Sequence, residues 1–168
     1  MTDLPKYAHW VAERRFLVDG ERMPALDDGG ARRMEDLYID GGRLRLRVIT
    51  YPGGQQEFKL AKKYAADNPL IGPMTNLYLT AEEHAALDGL PGTRLAKRRH
   101  RVGAFTVDVF EGDLAGLVLA ECEASNRMAA MAVEIPEWCI REVTPEPFFT
   151  GWSLSQRSAA DLARELKG

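Results

Sequence analysis

Residues 43–47 read Arg-Leu-Arg-Leu-Arg, and the expected fold follows from this pentapeptide and its repetitions. Successive side chains of a strand point to opposite faces, so the three arginines share one face and the two leucines the other. An ordinary half-buried strand has the same pattern, so the segment alone identifies no function. The same period of two recurs elsewhere in the chain, and this recurrence predicts several strands that carry charge on one face.

The other charged groups at this spacing lie on both sides of the pentapeptide. They are Glu13 and Arg15, Lys59 and Lys63, Lys97, Arg99 and Arg101, and Glu121 and Glu123. If these faces meet, they form a cavity crowded with cations and holding fewer carboxylates. Guanidinium and ammonium groups bind phosphate oxygens, and hard carboxylate oxygens bind Mg²⁺. The pattern therefore predicts a site for a polyanion and a divalent metal.

Composition and charge narrow the class of protein. The 168 residues fit one domain, predicted here as 1–168, and the net charge of −3 argues against nonspecific binding to a nucleic-acid duplex. The sequence has no apolar run of about 18 residues and no basic-then-apolar leader, so we expect a cytoplasmic protein without a membrane partner. Cys122 and Cys139 lack metal or redox spacing and are expected to be reduced thiols in the core.

Turn residues and periodicity predict about eight strands and three helices. The strands are expected at 11–18, 35–40, 43–51, 56–64, 74–79, 94–102, 105–111 and 117–124. One helix is expected to start at Thr80, since Thr80 and Glu83 have capping-box spacing. Two more are expected over about 125–133 and over 153–166. Glycine-rich hairpin turns favour a mainly antiparallel sheet that can close on itself. The fold class is thus α+β, mainly β.

Several motifs, in order along nearly the whole chain, resemble the CYTH family, also called triphosphate tunnel metalloenzymes. They are residues 13–18, Tyr38 followed by 43–47, residues 58–63, residues 97–99, residues 107–112 followed by 116–123, and residues 142–144. The block Val-Asp-Val-Phe-Glu-Gly and the following Gly-Leu-Val-Leu-Ala-Glu-Cys-Glu are the most specific of these. The resemblance implies a closed eight-stranded antiparallel barrel with flanking helices, forming a tunnel that binds triphosphates with Mg²⁺ or Mn²⁺.

The resemblance also assigns roles to individual residues. The implied phosphate-binding residues are Arg45, Arg47, Lys59, Lys63, Lys97 and Arg99. The implied metal ligands are Glu13, Asp108, Glu121 and Glu123, and the implied catalytic pair is Arg15 and Tyr38. Asp108 shares its strand face with Thr106 and Phe110, so we expect a local twist to turn it inward. A homodimer is among the expected assemblies.

The sequence departs from the family pattern at two positions of the first motif. Val11 stands where the family has its first acid, and Arg15 stands where it has a lysine. Arginine can still bind phosphate, but its pKa is too high for it to accept a proton from the attacking water. Metal-dependent hydrolysis of a small triphosphate is the favoured function, and the departures at Val11 and Arg15 are the reason to keep a sensor as an alternative. A non-catalytic polyphosphate or nucleotide sensor and an adenylate cyclase are the alternatives. A purely structural barrel is disfavoured, since buried cations without counter-charge are costly.

Overall fold

The computed structural model describes residues 4–167, so residues 1–3 and 168 of the predicted domain lie outside it. The strands are β1 (His9–Val18), β2 (Arg32–Ile39), β3 (Leu44–Thr50), β4 (Gln56–Lys63), β5 (Ile71–Leu79), β6 (Gly92–Val102), β7 (Phe105–Phe110), β8 (Val118–Ala124) and β9 (Cys139–Glu142). The helices are α1 (Ala81–Asp88), α2 (Arg127–Met131), α3 (Gly151–Leu154) and α4 (Ala159–Glu165). Two 3₁₀ turns occupy Gly112–Leu114 and Pro147–Phe149.

Eight strands form a closed antiparallel barrel, as predicted. Neighbouring strands follow the order β5-β4-β3-β2-β6-β7-β8-β1, and β1 returns to β5. The closing seam is short, since it joins only residues 9–12 of β1 to residues 71–74 of β5. The ninth strand, β9, continues along the same edge of β1 beyond the seam. The sequence indicated only a partly extended stretch there, because four residues are too few to show a period.

Backbone pairing moves four predicted strand starts, of which β6 begins at Gly92 rather than residue 94 because Gly92 pairs with Ile39 of β2. β1 begins at His9 rather than residue 11, because its first residues pair with β5. β2 begins at Arg32 rather than residue 35, because residues 32–34 pair with β6. β5 begins at Ile71 rather than residue 74, inside a stretch whose glycine and proline indicated a loop. In each case partner strands, which a local pattern cannot reveal, decide where extended structure starts.

The helices are short: α1 and α2 pack on the outside of the barrel wall, whereas α3 and α4 lie at one end of the barrel. The capping box at α1 is confirmed: the Glu83 amide donates to the Thr80 hydroxyl, and the Thr80 amide donates to the Glu83 carboxylate. The predicted C-terminal helix over 153–166 is wrong as one element. It is divided into α3 and α4, and Ser158 caps the second of these with Asp161 in another capping box. No helix of residues 4–167 is long and apolar enough to cross a membrane.

The largest apolar cluster fills one end of the barrel interior, and we call it the plug. Its buried members are Leu17, Leu95, Phe110, Leu114, Leu117, Leu119, Val143, Phe149, Leu154 and Leu162. Inward-facing leucines of the strands meet residues of the C-terminal segment here, so that segment closes the barrel. Two further clusters lie on the outer wall, one under α1 and one that includes the free, buried thiol of Cys139. Cys122 is likewise free and buried.

Candidate polyanion site

Strand register shows which side chains face the barrel interior beyond the plug. The inward cations are Arg15, Arg45, Arg47, Lys59, Lys97 and Arg99. The inward carboxylates with little exposure are Glu13, Asp36, Glu57, Asp108 and Glu121. The charged faces predicted from the sequence therefore do meet in one interior.

Asp108 lies at the centre of the largest ion-pair network. Its carboxylate is fully buried and accepts two hydrogen bonds from Arg99, from Nε at 2.6 Å and Nη2 at 2.7 Å. Lys97 donates to the same carboxylate. Burial lowers the pKa of Lys97, and the charge of Asp108 opposes that shift. No local twist is needed to turn Asp108 inward, because Phe110 on the same face also points inward, into the plug.

Glu121 and Arg15 extend this network away from the plug. Arg99 Nη2 donates to Glu121 at 2.6 Å, and Arg15 Nε donates to the other oxygen of Glu121 at 3.0 Å. Arg15 Nη2 reaches Glu13 at 2.5 Å. Burial alone would lower the pKa of Arg15, but Glu13 and Glu121 outweigh it and raise the pKa further. Burial would raise the pKa of Glu121, yet Lys97, Arg99 and Arg15 hold it well below its ordinary value.

Asp36, which no sequence motif singled out, is the second anchor of the interior. Arg47 donates to it through Nε at 2.5 Å and Nη2 at 2.7 Å, and both side chains are buried. Arg45 lies 4.0 Å from the same carboxylate, and its buried Nε has no hydrogen-bond acceptor within residues 4–167. Although burial would raise the pKa of Asp36, the charges of Arg47 and Arg45 lower it to about 2.

Tyr38 lies opposite Arg45 across the β2–β3 pair and packs against the plug. Its hydroxyl rests on α3, where a Cβ added to Gly151 would fall 1.9 Å from the phenolic oxygen. Only glycine permits that approach. Burial raises the pKa of Tyr38 above its ordinary value, so the phenol is a neutral donor at pH 7. The predicted catalytic residues Arg15 and Tyr38 are thus both fully protonated there.

The remaining predicted residues lie nearer solvent. Lys59 pairs with Glu57 at 2.8 Å and sits 4.7 Å from the ring centroid of Tyr78. Lys63 is exposed at the end of β4. Glu123 is exposed, lies directly opposite Glu13 across the β1–β8 pair, and has no ion-pair partner within the described residues.

Among the inward side chains of residues 4–167 that are not exposed, six cations face five carboxylates, so the interior is close to electrically balanced. The excess of cations is therefore smaller than the sequence pattern predicted. The pattern missed Asp36 and Glu57, whose inward direction follows from their parity with Tyr38 and Lys59, but which belong to no acidic repeat. Mutual repulsion of cations is consequently a weaker indication of a ligand than a buried polar group without a partner.

Within residues 4–167, few inward carboxylate oxygens are left without a cationic partner and so able to bind a divalent metal. No group of three or more His, Cys, Asp or Glu side chains suited to a metal lies within residues 4–167. Asp108 and Glu121 are already held by cationic side chains. Glu13 also accepts from Arg15, but through Oε1 alone, and it lies opposite the like charge of the exposed Glu123, so Oε2 of Glu13 and the Glu123 carboxylate are the oxygens left for a cation within residues 4–167. Mg²⁺ is usually held by one or two carboxylates, waters and substrate phosphates, so this pair fits such an ion.

Acid should weaken the fold through Asp36. A carboxyl whose pKa falls from its unfolded value near 4 to about 2 stabilises the native state above that unfolded value. The stabilisation, about 2 kcal/mol, should be lost as the pH falls from about 4 to about 2. Urea unfolding across this range would measure it. The pH slope should be smaller for Asp36→Asn, and equal slopes for the two proteins would contradict the assignment.

The chain is a closed antiparallel barrel with a charged interior, and its fold is similar to that of a solved protein, NE1496. NE1496 has been solved twice. One structure, described as a hypothetical protein, shares 22% identity at a TM-score of 0.57 and covers 88% of this chain and 99% of that one. The other, described as the inorganic triphosphatase NE1496, shares 23% identity at a TM-score of 0.56, with 87% and 97% covered.

A conserved hypothetical protein from Pyrococcus furiosus is also similar, with 16% identity, a TM-score of 0.50, and 73% and 83% of the two chains covered. No family model and no curated protein matches the sequence. At these identities the likenesses establish the fold. The fold is the one implied by the resemblance to triphosphate tunnel metalloenzymes, and that expectation is confirmed.

Proposed function

We propose that the protein binds a triphosphate inside the barrel and hydrolyses it. The observation that carries the proposal is Arg45, whose buried Nε points to no acceptor within the described chain. A buried donor without a partner costs about 1–3 kcal/mol, and a phosphate oxygen would remove that cost. The cations of the surrounding wall would neutralise the further charges of a triphosphate.

Hydrolysis is proposed because the similar protein NE1496 is described as an inorganic triphosphatase. The reaction adds water across a terminal P–O–P bond and releases orthophosphate and diphosphate. Arg15 and Tyr38 would act as donors to phosphoryl oxygens, because both keep their protons at neutral pH. Arg99 and Lys97 would supply positive charge where negative charge accumulates in the transition state.

Glu13 and Glu123 would hold a divalent cation, Mg²⁺ or Mn²⁺, together with substrate phosphates. When bound, the ion would supply additional charge neutralisation at the phosphoryl oxygens. Asp108 and Glu121, which the family pattern also assigns to metal, would instead orient Arg99, Lys97 and Arg15. The metal role is thereby restricted to two of the four predicted carboxylates.

A sensor that binds triphosphate without turnover is the second candidate. It is favoured by the protonation of Arg15 and Tyr38, since neither can accept a proton from the attacking water. Phosphate release from inorganic triphosphate, with EDTA, Mg²⁺ or Mn²⁺, separates the candidates when combined with a binding measurement. Binding with metal-stimulated release supports the hydrolase. Binding without release supports the sensor, and absence of both contradicts each.

A further inference from the structure

The two arginines of β3 that face the interior are not equivalent, although the sequence presents them as a repeat. Arg47 is buried and donates two hydrogen bonds to Asp36, at 2.5 and 2.7 Å. Arg45 is 19% exposed, lies 4.0 Å from Asp36, and keeps a buried Nε without an acceptor in the described chain. The guanidinium of Arg47 therefore has its hydrogen-bond acceptor within the protein, whereas that of Arg45 is left able to bind a ligand.

We propose that Asp36 is an internal anion that fixes this division: it locks Arg47 into the wall and competes with the ligand phosphate for the interior cations, leaving Arg45 as the principal phosphate-binding arginine. The proposal rests on the proposed binding of triphosphate and adds which arginine binds it and what limits the affinity. Asp36 acts through the arginines and is a positioning residue.

Geometry explains why the division is stable. Asp36 is opposite Arg47 in the β2–β3 register, so the planar guanidinium of Arg47 donates directly across the strand pair to both oxygens of the Asp36 carboxylate. Arg45 is opposite Tyr38 and approaches Asp36 only diagonally. A triphosphate entering the barrel would meet the partly exposed guanidinium of Arg45, whose buried Nε lacks an acceptor within residues 4–167, but it would have to displace Asp36 to reach the two Arg47 donors.

Removing the internal anion should therefore strengthen binding. Asp36→Asn keeps the shape of the side chain, withdraws one negative charge from the interior and frees the Arg47 donors. Since a charge-assisted hydrogen bond is worth about 1.5–3 kcal/mol, we expect inorganic triphosphate to bind about tenfold or more tightly. The same change should lower the melting temperature, because Arg47 loses its buried partner. Tighter binding together with lower stability is an outcome that a merely structural role would not give.

The arginine variants test the division without depending on Asp36→Asn. Arg45→Gln should weaken triphosphate binding by about tenfold or more with little loss of melting temperature. Arg47→Gln should lower the melting temperature and weaken binding less, and adding Asp36→Asn to Arg47→Gln should recover stability. Arg94→Gln, on the outer face of β6 and paired with Asp88, is the matched control and should leave binding unchanged.

The experiment is calorimetric titration of inorganic triphosphate into each folded variant at 15 °C in EDTA, with melting curves of the same samples. Tighter binding by Asp36→Asn, and a larger affinity loss for Arg45→Gln than for Arg47→Gln, would support the proposal. Unchanged or weaker binding by Asp36→Asn, or the reverse order of the arginines, would overturn it while leaving triphosphate binding intact. Failure of the wild type to bind in EDTA and in Mg²⁺ would instead contradict the proposed function.

Discussion

Replacing Asp108 with alanine should lower the free energy of unfolding by about 3–5 kcal/mol, because the change leaves two cations buried without their shared carboxylate. Asp108 is fully buried and is the acceptor for both Lys97 and Arg99. Glu121 still pairs with Arg99, so Lys97 bears most of the loss. Urea unfolding of the two proteins at neutral pH would measure the difference.

A ligand should reverse part of this loss. Inorganic triphosphate at a hundredfold excess over its Kd adds about 2.7 kcal/mol to a native state that alone binds it. At one fixed triphosphate concentration the gain should be larger for Asp108→Ala than for the wild type, because its freed cations should lower the Kd. Asp88→Ala removes an exposed carboxylate paired with Arg94 and serves as the control, with an expected cost below about 1 kcal/mol. An equally small cost at Asp108 would show that water already solvates the network.

The second large effect is expected at the closed end. Phe149→Ala should cost about 3–5 kcal/mol, since Phe149 is fully buried in the plug and its removal leaves a cavity where the C-terminal segment meets the strands. The adjacent Phe148 is only partly buried against the same cluster, so Phe148→Ala is the matched control and should cost less.

Both phenylalanine variants can be compared by urea unfolding and by triphosphate affinity at low temperature. Because the plug holds Tyr38 against Gly151, loosening it should also weaken triphosphate binding. Equal costs at positions 148 and 149 would contradict the placement of Phe149 as the residue that closes the barrel.

The period-two repeats of charge predicted the strands and their charged faces, because this signal is local and needs no knowledge of partner strands, whereas the closed barrel was implied by the resemblance to triphosphate tunnel metalloenzymes. The sequence placed Arg45, Arg47, Lys97, Arg99 and Glu121 on inward faces because of the same local signal. It did not reveal which charges pair. Glu121 and Asp108 looked like metal ligands, yet arginines separated from them by 9 to 106 positions occupy their oxygens.

Other features were hidden because they depend on packing over long distances in the chain. Asp36 carries no motif of its own, and its role appears only when Arg47 is set opposite it. The plug combines inward leucines of the strands with the C-terminal segment, which the sequence presented as one amphipathic helix. Gly151, which no sequence pattern singled out, is the residue that lets Tyr38 reach its place.

The most direct test of the central claim, that the barrel interior is a triphosphate site, is calorimetric titration of inorganic triphosphate into the wild-type protein at low ionic strength, with EDTA and with Mg²⁺. We expect one-site binding in EDTA that weakens as salt is added, because the contacts are charged, and tighter binding with Mg²⁺. The claim would be contradicted if titration of triphosphate gave no heat of binding in either condition and titration of orthophosphate or sulfate gave none either.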